Sequence, residues 1–343
     1  MYTDKQGNEY FIVDGHIHNW DASVENHRNV HGKQFIDCFY GYHQMSPPEF
    51  LWEREKFYRY GEEAMMRDLF VEGYDDMAIL QPTYLTEFFV RGFNTTEDQF
   101  ELTKRYPERF IVNGSFDPRD GEAGLDRLRE HHEKYNLKGI KLYTAEWKGE
   151  SKGWRLTDPW AFKYLELAQE LGIRNIHVHK GPTILPLNRD AFDVADVDDA
   201  ATSFQGLNFI VEHCGLPRLD DFTWIATQET NVYAGLAVAI AFIHKRPEYF
   251  AHVLGELLFW IGSDKICFGS DYAIWSPKWI TEEFAEFELP EHVAREKGVS
   301  FGVEDKRKIL GLNMARLYDI DIDAKKRFFA GEHASGTKQM AAE

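Results

Sequence analysis

Eight short apolar runs, separated by stretches of helical character, constrain this sequence more than any other feature. They fall at residues 10–14 (YFIVD), 77–81 (MAILQ), 110–114 (FIVNG), 139–142 (GIKL), 175–179 (NIHVH), 208–213 (NFIVEH), 231–235 (NVYAG) and 266–269 (ICFG). Their hydrophobicity is nearly continuous rather than alternating, which suits strands covered on both faces. Strands regularly separated by helices imply parallel β-α units, and eight such units close a barrel. The expected architecture is an α/β fold, a (β/α)₈ TIM barrel. The clearest helix reads DPWAFKYLELAQELG, with Asp158 placed to cap, Pro159 at the first helical position and Gly172 as the stop. Other helices are expected to start near Glu62, Thr96, Gly121, Arg218, Pro247 and Glu304, each followed by apolar residues at three- and four-residue spacing.

A barrel of this kind accommodates 343 residues as one unit, so residues 1–320 are read as a single domain and 321–343 as a C-terminal tail. Two segments exceed the minimal repeat. About forty residues, roughly 20–60, follow the first strand and are rich in aromatics and histidine; an insertion that long is expected to cover the barrel mouth, with His27, His31 and His43 on its surface. The tail is polar and rich in small residues, which implies either a frayed end or an arm to a neighbouring subunit.

A formal charge of −18 argues against proteins that neutralise nucleic-acid phosphates or anionic membranes, since both need clustered Lys and Arg. Cys38, Cys214 and Cys267 are scattered and form no CxxC pair, so they are read as reduced thiols of a cytoplasmic protein. The N-terminal residues lack the basic and apolar regions of a secretion signal, and no apolar run approaches the roughly 20 residues of a membrane span.

The chemistry-bearing residues gather at strand ends, where a barrel builds its active site. The first strand ends in Asp14-Gly15-His16-Ile17-His18, and two histidines two apart on a strand share a side and can grip one ion. The fifth ends in His177-Val178-His179; His179 lies nearer the mouth and is the better ligand, with His177 a layer deeper as a hydrogen-bonded barrel histidine. The sixth ends in Glu212-His213-Cys214 and the eighth in Ser270-Asp271. Asp271 can ligate a metal and also take a proton, while His213 is either a further ligand or an acid/base. Lys141, ending the fourth strand, is either a carbamylated bridge between two metals or a salt-bridge and substrate contact; a single metal is favoured. Arg218 and Lys141 are candidate carboxylate anchors, and Trp20, Trp147 and Trp275 candidate walls of an apolar pocket. There is no GxxxxGK[ST] phosphate loop and no GxGxxG turn, and Cys214 reads as a small buried residue.

As an ensemble, DGHIH, the HKG that closes the fifth strand, EHCG, GSDY and the late KILGLNMARLY resemble the amidohydrolase superfamily. The closer resemblance is to the amidohydrolase-related family that includes aminocarboxymuconate semialdehyde decarboxylase, and it spans about Asp14 to Tyr318. The resemblance implies one divalent metal, zinc first with manganese or iron as alternatives, on His16, His18, His179 and Asp271. It also implies an acid/base role for His213 and a homodimer. Some hydroxybenzoate decarboxylases of the family carry Glu in place of the first HxH histidine, and this chain does not.

The expected function is therefore a metal-dependent hydrolase acting on a small carboxylated or cyclic substrate through activated water. Non-oxidative decarboxylation on the same site is the alternative. A catalytically silent metal-binding accessory barrel is a second class and a metal-free lactonase a third; turnover abolished by Asp271→Asn, or activity surviving a chelator, separates them.

Overall fold

The computed structural model describes residues 1–335 of the chain. Barrel strands β1 (Val13–Ile17), β2 (Met77–Leu80) and β3 (Phe110–Val112) form one parallel ladder. Strands β4 (Gly139–Leu142), β5 (Asn175–His179), β6 (Asn208–Glu212), β7 (Val232–Gly235) and β8 (Ile266–Cys267) form another, in sequence order. Two single parallel bridges, Gly114 with Ile140 and Ile17 with Tyr272, join the ladders edge to edge and close the (β/α)₈ barrel. Nearly every strand residue is buried, as continuous apolar runs require when helices cover one face and the barrel interior the other.

The first strand and one helix cap differ from the sequence reading. Residues 10–14 do not form the first strand: Glu9–Tyr10 pairs antiparallel with Tyr2–Thr3, and the barrel strand begins at Val13. The cause is local, because Asp4 accepts hydrogen bonds from the backbone of Gln6 and Asn8 and from the Tyr10 hydroxyl, which holds Tyr10 in the hairpin. The helix Pro159–Glu170 forms as expected, but Asp158 accepts from the Arg155 N–H rather than from the helix, and Gly172, at φ +75°, ends the turn.

The insertion folds around helix α1 (Val30–His43), whose first turn is capped by the Asn29 side chain accepting from His31 N–H. Trp20 is the centre of this layer. Its ring lies 5.2–5.8 Å from those of Phe39, Phe57, Tyr60 and Phe93, and its indole donates to the Phe57 carbonyl at 2.8 Å. His43 is not on the surface as expected: it is buried, donating from Nδ1 to the Ile274 carbonyl (2.7 Å) and accepting at Nε2 from Trp52 N–H (2.7 Å). The end of α1 is thereby tied to the loop after β8.

The start of the tail is neither frayed nor extended away. It forms a helix, Ile322–Ser335, that buries Phe329 with the Arg109 guanidinium 3.8 Å from its ring centroid and pairs Lys325 with Glu108 at 2.7 Å. Residues 336–343 of the tail lie outside the described residues.

Candidate metal centre

Strand alternation turns His16 toward the barrel axis, and the loop that follows β8 brings Asp271 across to it. His16 Nε2 lies 3.1 Å from His18 Nε2 and 3.7 Å from Asp271 Oδ1, and His18 Nε2 lies 3.3 Å from the same carboxylate oxygen. These three buried side chains offer ligand atoms all within 4.8 Å of one another. The neighbouring glycines make room for them. A Cβ on Gly269 would sit 2.7 Å from His16 Cβ, and one on Gly181 would sit 2.6 Å from His213 Cβ.

His179 lines the same cavity but falls outside that three-residue cluster. Its Nδ1 is 3.0 Å from His213 Nε2, and its Nε2 is 3.3 Å from the Pro182 carbonyl. His213 Nδ1 lies 2.9 Å from the Ala237 carbonyl and 4.0 Å from Asp271 Oδ2. Both His213 and Asp271 adopt left-handed backbone, at φ 62° and 60°. That conformation is uncommon outside glycine and concentrates at functional sites.

Around this ring lies a supporting layer. Glu212 spans two imidazoles, with Oε2 2.8 Å from His16 Nδ1 and Oε1 2.6 Å from His177 Nδ1. His177 sits a layer deeper, its Nε2 2.8 Å from the Tyr318 hydroxyl. His18 Nδ1 is 2.8 Å from the Gln81 carbonyl and 2.9 Å from Asn94 Nδ2. Lys141 Nζ is 3.4 Å from His16 Nε2 and 3.8 Å from Glu212 Oε1.

The electrostatics follow from burial. Desolvation pushes the His16 imidazole down to about 3 and lowers His179 and His213 as well, the latter two held neutral. Burial alone would raise Asp271, but the facing imidazoles of His16, His18 and His213 hold it well below the usual carboxylate range. Burial lowers Lys141. Because carbonyl and carboxylate oxygens only accept, the outer nitrogens of His16, His179 and His213 carry the protons, leaving bare inner nitrogens facing the cavity. Lone pairs of His179 and His213 meet at 3.0 Å, and those of His16 and His18 approach an anionic oxygen. Such an arrangement suits a cation, and two imidazoles with a carboxylate are a donor set for zinc, manganese or iron.

A family model described as Amidohydrolase matches residues 13–320. The chain belongs to the amidohydrolase family. No protein with a curated description matches this amidohydrolase in sequence. Among solved structures it is similar to 2,6-dihydroxybenzoate decarboxylase from Rhizobium, at 15% identity over 91% of this chain and 100% of that one, with a TM-score of 0.60. It is also similar to a dihydroxybenzoic acid decarboxylase from Polaromonas sp. JS666 with bound manganese and the inhibitor 2-nitroresorcinol (15% identity, 92% and 99% coverage, TM-score 0.60). A third is a probable 2-pyrone-4,6-dicarboxylic acid hydrolase from Acinetobacter baumannii with citric acid bound (12% identity, 90% and 99% coverage, TM-score 0.54). At these identities the likeness is one of fold.

The cavity of this amidohydrolase has the candidate metal-binding residues and Lys141 in its lining. Its walls include Phe39 and Tyr42 of α1, Phe93, Ile184, Ile274 and Trp275. Three expected pocket residues lie elsewhere. Arg218 is half-exposed and faces Asp193 (3.9 Å) and Asp221 (3.8 Å), because the turn at His213–Gly215 carries it past the barrel rim. Trp20 is consumed by the aromatic core of the insertion and does not line the cavity. Trp147 lines a neighbouring cleft instead. Sequence reading gave no role to Glu212, Gln81, Asn94, Thr83 or Tyr143. Glu212 had a signal, its place beside His213 at a strand end; the others declare themselves only by what folding sets beside them. Among the described residues no helix is long and apolar enough to cross a membrane.

Proposed function

We propose that this chain is a metal-dependent amidohydrolase acting on a small carboxylated or cyclic organic molecule, with His16, His18, Asp271 and His179 as the metal-binding residues. The observation that carries the reading is the convergence of His16 Nε2, His18 Nε2 and Asp271 Oδ1 at 3.1–3.7 Å in a cavity with largely apolar walls. A divalent ion there, zinc in the first instance, would supply Lewis acidity and a water acidified toward neutrality. Glu212 fixes the orientation of His16 through its Nδ1, as carboxylates behind metal-ligating histidines do. His213, neutral and bare at Nε2, receives a proton from the reacting group, and Asp271, held ionised, accepts one at its free oxygen. Lys141 sets an amine beside His16 for an anionic substrate group. Helix α1 acts as a lid, held by His43 on Ile274, that excludes bulk water. The protein is read as cytoplasmic and dimeric.

Decarboxylation is the second reading, favoured by the apolar walls of Phe39, Phe93 and Trp275, which disfavour a carboxylate's charge and tolerate neutral carbon dioxide. It is also the reaction named for two of the structural relatives. The test begins with metal content by plasma mass spectrometry of wild type and His16→Ala/His179→Ala. About one equivalent in wild type, lost in the variant, is expected; wild type without metal after reconstitution would sink the reading. Metal-loaded enzyme is then given lactones and hydroxybenzoates, and release of acid or of carbon dioxide separates hydrolysis from decarboxylation.

A further inference from the structure

The contacts behind His16 do not end at Glu212. His177, on the far side of that carboxylate, lies with its Nε2 2.8 Å from the Tyr318 hydroxyl. The same hydroxyl accepts from Asn113 Nδ2 at 2.8 Å and lies 3.1 Å from Asn113 Oδ1. Asn113 Nδ2 also donates to Gln81 Oε1 at 3.0 Å. Gln81 in turn donates from Nε2 to the Gly15 carbonyl at 2.7 Å, and its own carbonyl lies 2.8 Å from His18 Nδ1. Both histidines of the His16-Ile17-His18 strand end therefore trace back to one pair, Tyr318 and Asn113, which stand 205 residues apart in sequence. All of these side chains are more than nine-tenths buried. Tyr318, Asn113, Gln81, His177 and Glu212 are not part of the cavity lining.

Donor and acceptor chemistry gives this chain one direction. A carboxylate only accepts, so the His177 proton sits on Nδ1, facing Glu212, and His177 Nε2 presents a lone pair. Tyr318 has a single hydroxyl hydrogen. Because Asn113 donates to the phenol oxygen, that hydrogen goes to His177 Nε2, the nearer of its two acceptors. Asn113, Tyr318, His177 and Glu212 then form a run in which each bond polarises the next. Gly139 makes room for it. A Cβ there would stand 2.5 Å from both the Tyr318 hydroxyl and Asn113 Oδ1. The backbone of Gly139 is not in the left-handed region, so it is this close approach, and not the chain's conformation, that calls for glycine.

We infer that Tyr318 is a positioning residue of the metal centre: with Asn113 it fixes the ring of His177 and, through Glu212, the nitrogen that His16 turns to the metal position. This rests on His16 being a metal ligand. Tyr318 acts only through the intervening side chains, and the Gln81 branch extends the same hold to His18.

The test is Tyr318→Phe in the full chain, which keeps the ring and removes the hydroxyl. Zn²⁺ affinity, measured by competition with a chromophoric chelator, is expected to fall roughly three- to tenfold, the worth of about one hydrogen bond and less than the loss of a direct partner of His16. Nitrogen-15 spectra of metal-free, histidine-labelled protein, assigned by single histidine substitutions, are expected to shift at both His177 and His16. Gly139→Ala keeps the hydroxyl but displaces it; it should produce the same two changes and serves if Tyr318→Phe does not fold. Phe329→Leu, buried in the helix that follows but outside this chain of contacts, should lower thermal stability and leave both readouts at wild type. Wild-type affinity with unmoved His16 resonances in Tyr318→Phe overturns the inference and leaves the metal reading standing. An equal loss of affinity in Phe329→Leu also overturns it, because general loosening would then explain the effect. If the wild type takes up no zinc, the metal reading fails, and a His16 shift in the metal-free spectra of Tyr318→Phe still upholds the hold of Tyr318 on that ring.

Discussion

Glu212 places one carboxylate oxygen 2.8 Å from His16 Nδ1 and the other 2.6 Å from His177 Nδ1, inside a barrel layer with almost no solvent access. Burial alone would raise this carboxyl, but His16, Lys141 and His177 hold it well below its ordinary range. It therefore stays anionic and favours the His16 proton on Nδ1, so that Nε2 faces the proposed metal position. Glu212→Gln removes the charge and lets the His16 ring change tautomer. Metal affinity, measured by competition with a chromophoric chelator, is expected to fall roughly 10- to 100-fold. Equal affinity in the variant would mean that Glu212 serves packing alone.

His213 separates proton handling from metal binding. In His213→Asn the His16, His18 and Asp271 cluster keeps its donors, so metal content should stay near wild type while kcat drops by about 10²- to 10⁴-fold. Parallel loss of metal and activity would instead make His213 a ligand.

Trp20 carries the insertion. Four aromatic rings and the Phe57 carbonyl surround it, so Trp20→Ala should destabilise the protein by about 3–5 kcal/mol in urea unfolding, with Trp20→Phe costing less. If the insertion unfolds separately from the barrel, the variant will show an added transition rather than a shifted one.

Glu146, in the loop after β4, gives a pH signature away from the metal centre. Burial, aided by the nearby Asp117 charge, pushes its carboxyl up from 4.5 to about 7. A carboxyl raised on folding contributes stability that is fully present below its unfolded value near 4.5 and is lost as pH rises through about 7. Glu146→Gln keeps an acceptor for the backbone N–H groups of Leu85 and Thr86 but removes the titration. The variant should match wild type near pH 4 and exceed it by up to about 2 kcal/mol at pH 8, read from thermal unfolding. A constant difference across that range would count against the assignment.

Arg218 faces two surface aspartates rather than the cavity, so Arg218→Ala should leave turnover within about twofold of wild type. A large rise in KM would return it to the substrate site.

The barrel itself was legible in the sequence because its strands are buried on both faces, and continuous apolar runs separated by amphipathic helices leave few other ways to hide that surface. The histidines and Asp271 were legible for a related reason: barrel strands deliver their last residues to one face, so strand-end position already implies a shared site. Local competition hid the first strand's true start, since the Asp4 turn captures Tyr10 before the barrel does.

Contacts between residues far apart in sequence belonged to tertiary structure. Only folding could show that Trp20 is spent inside the insertion, that His43 bonds to Ile274, and that Glu212 stands behind both His16 and His177. Hydrophobic periodicity and strand direction act along the chain and can be read from it, whereas hydrogen-bond satisfaction is a property of neighbours that the chain brings together only when it closes.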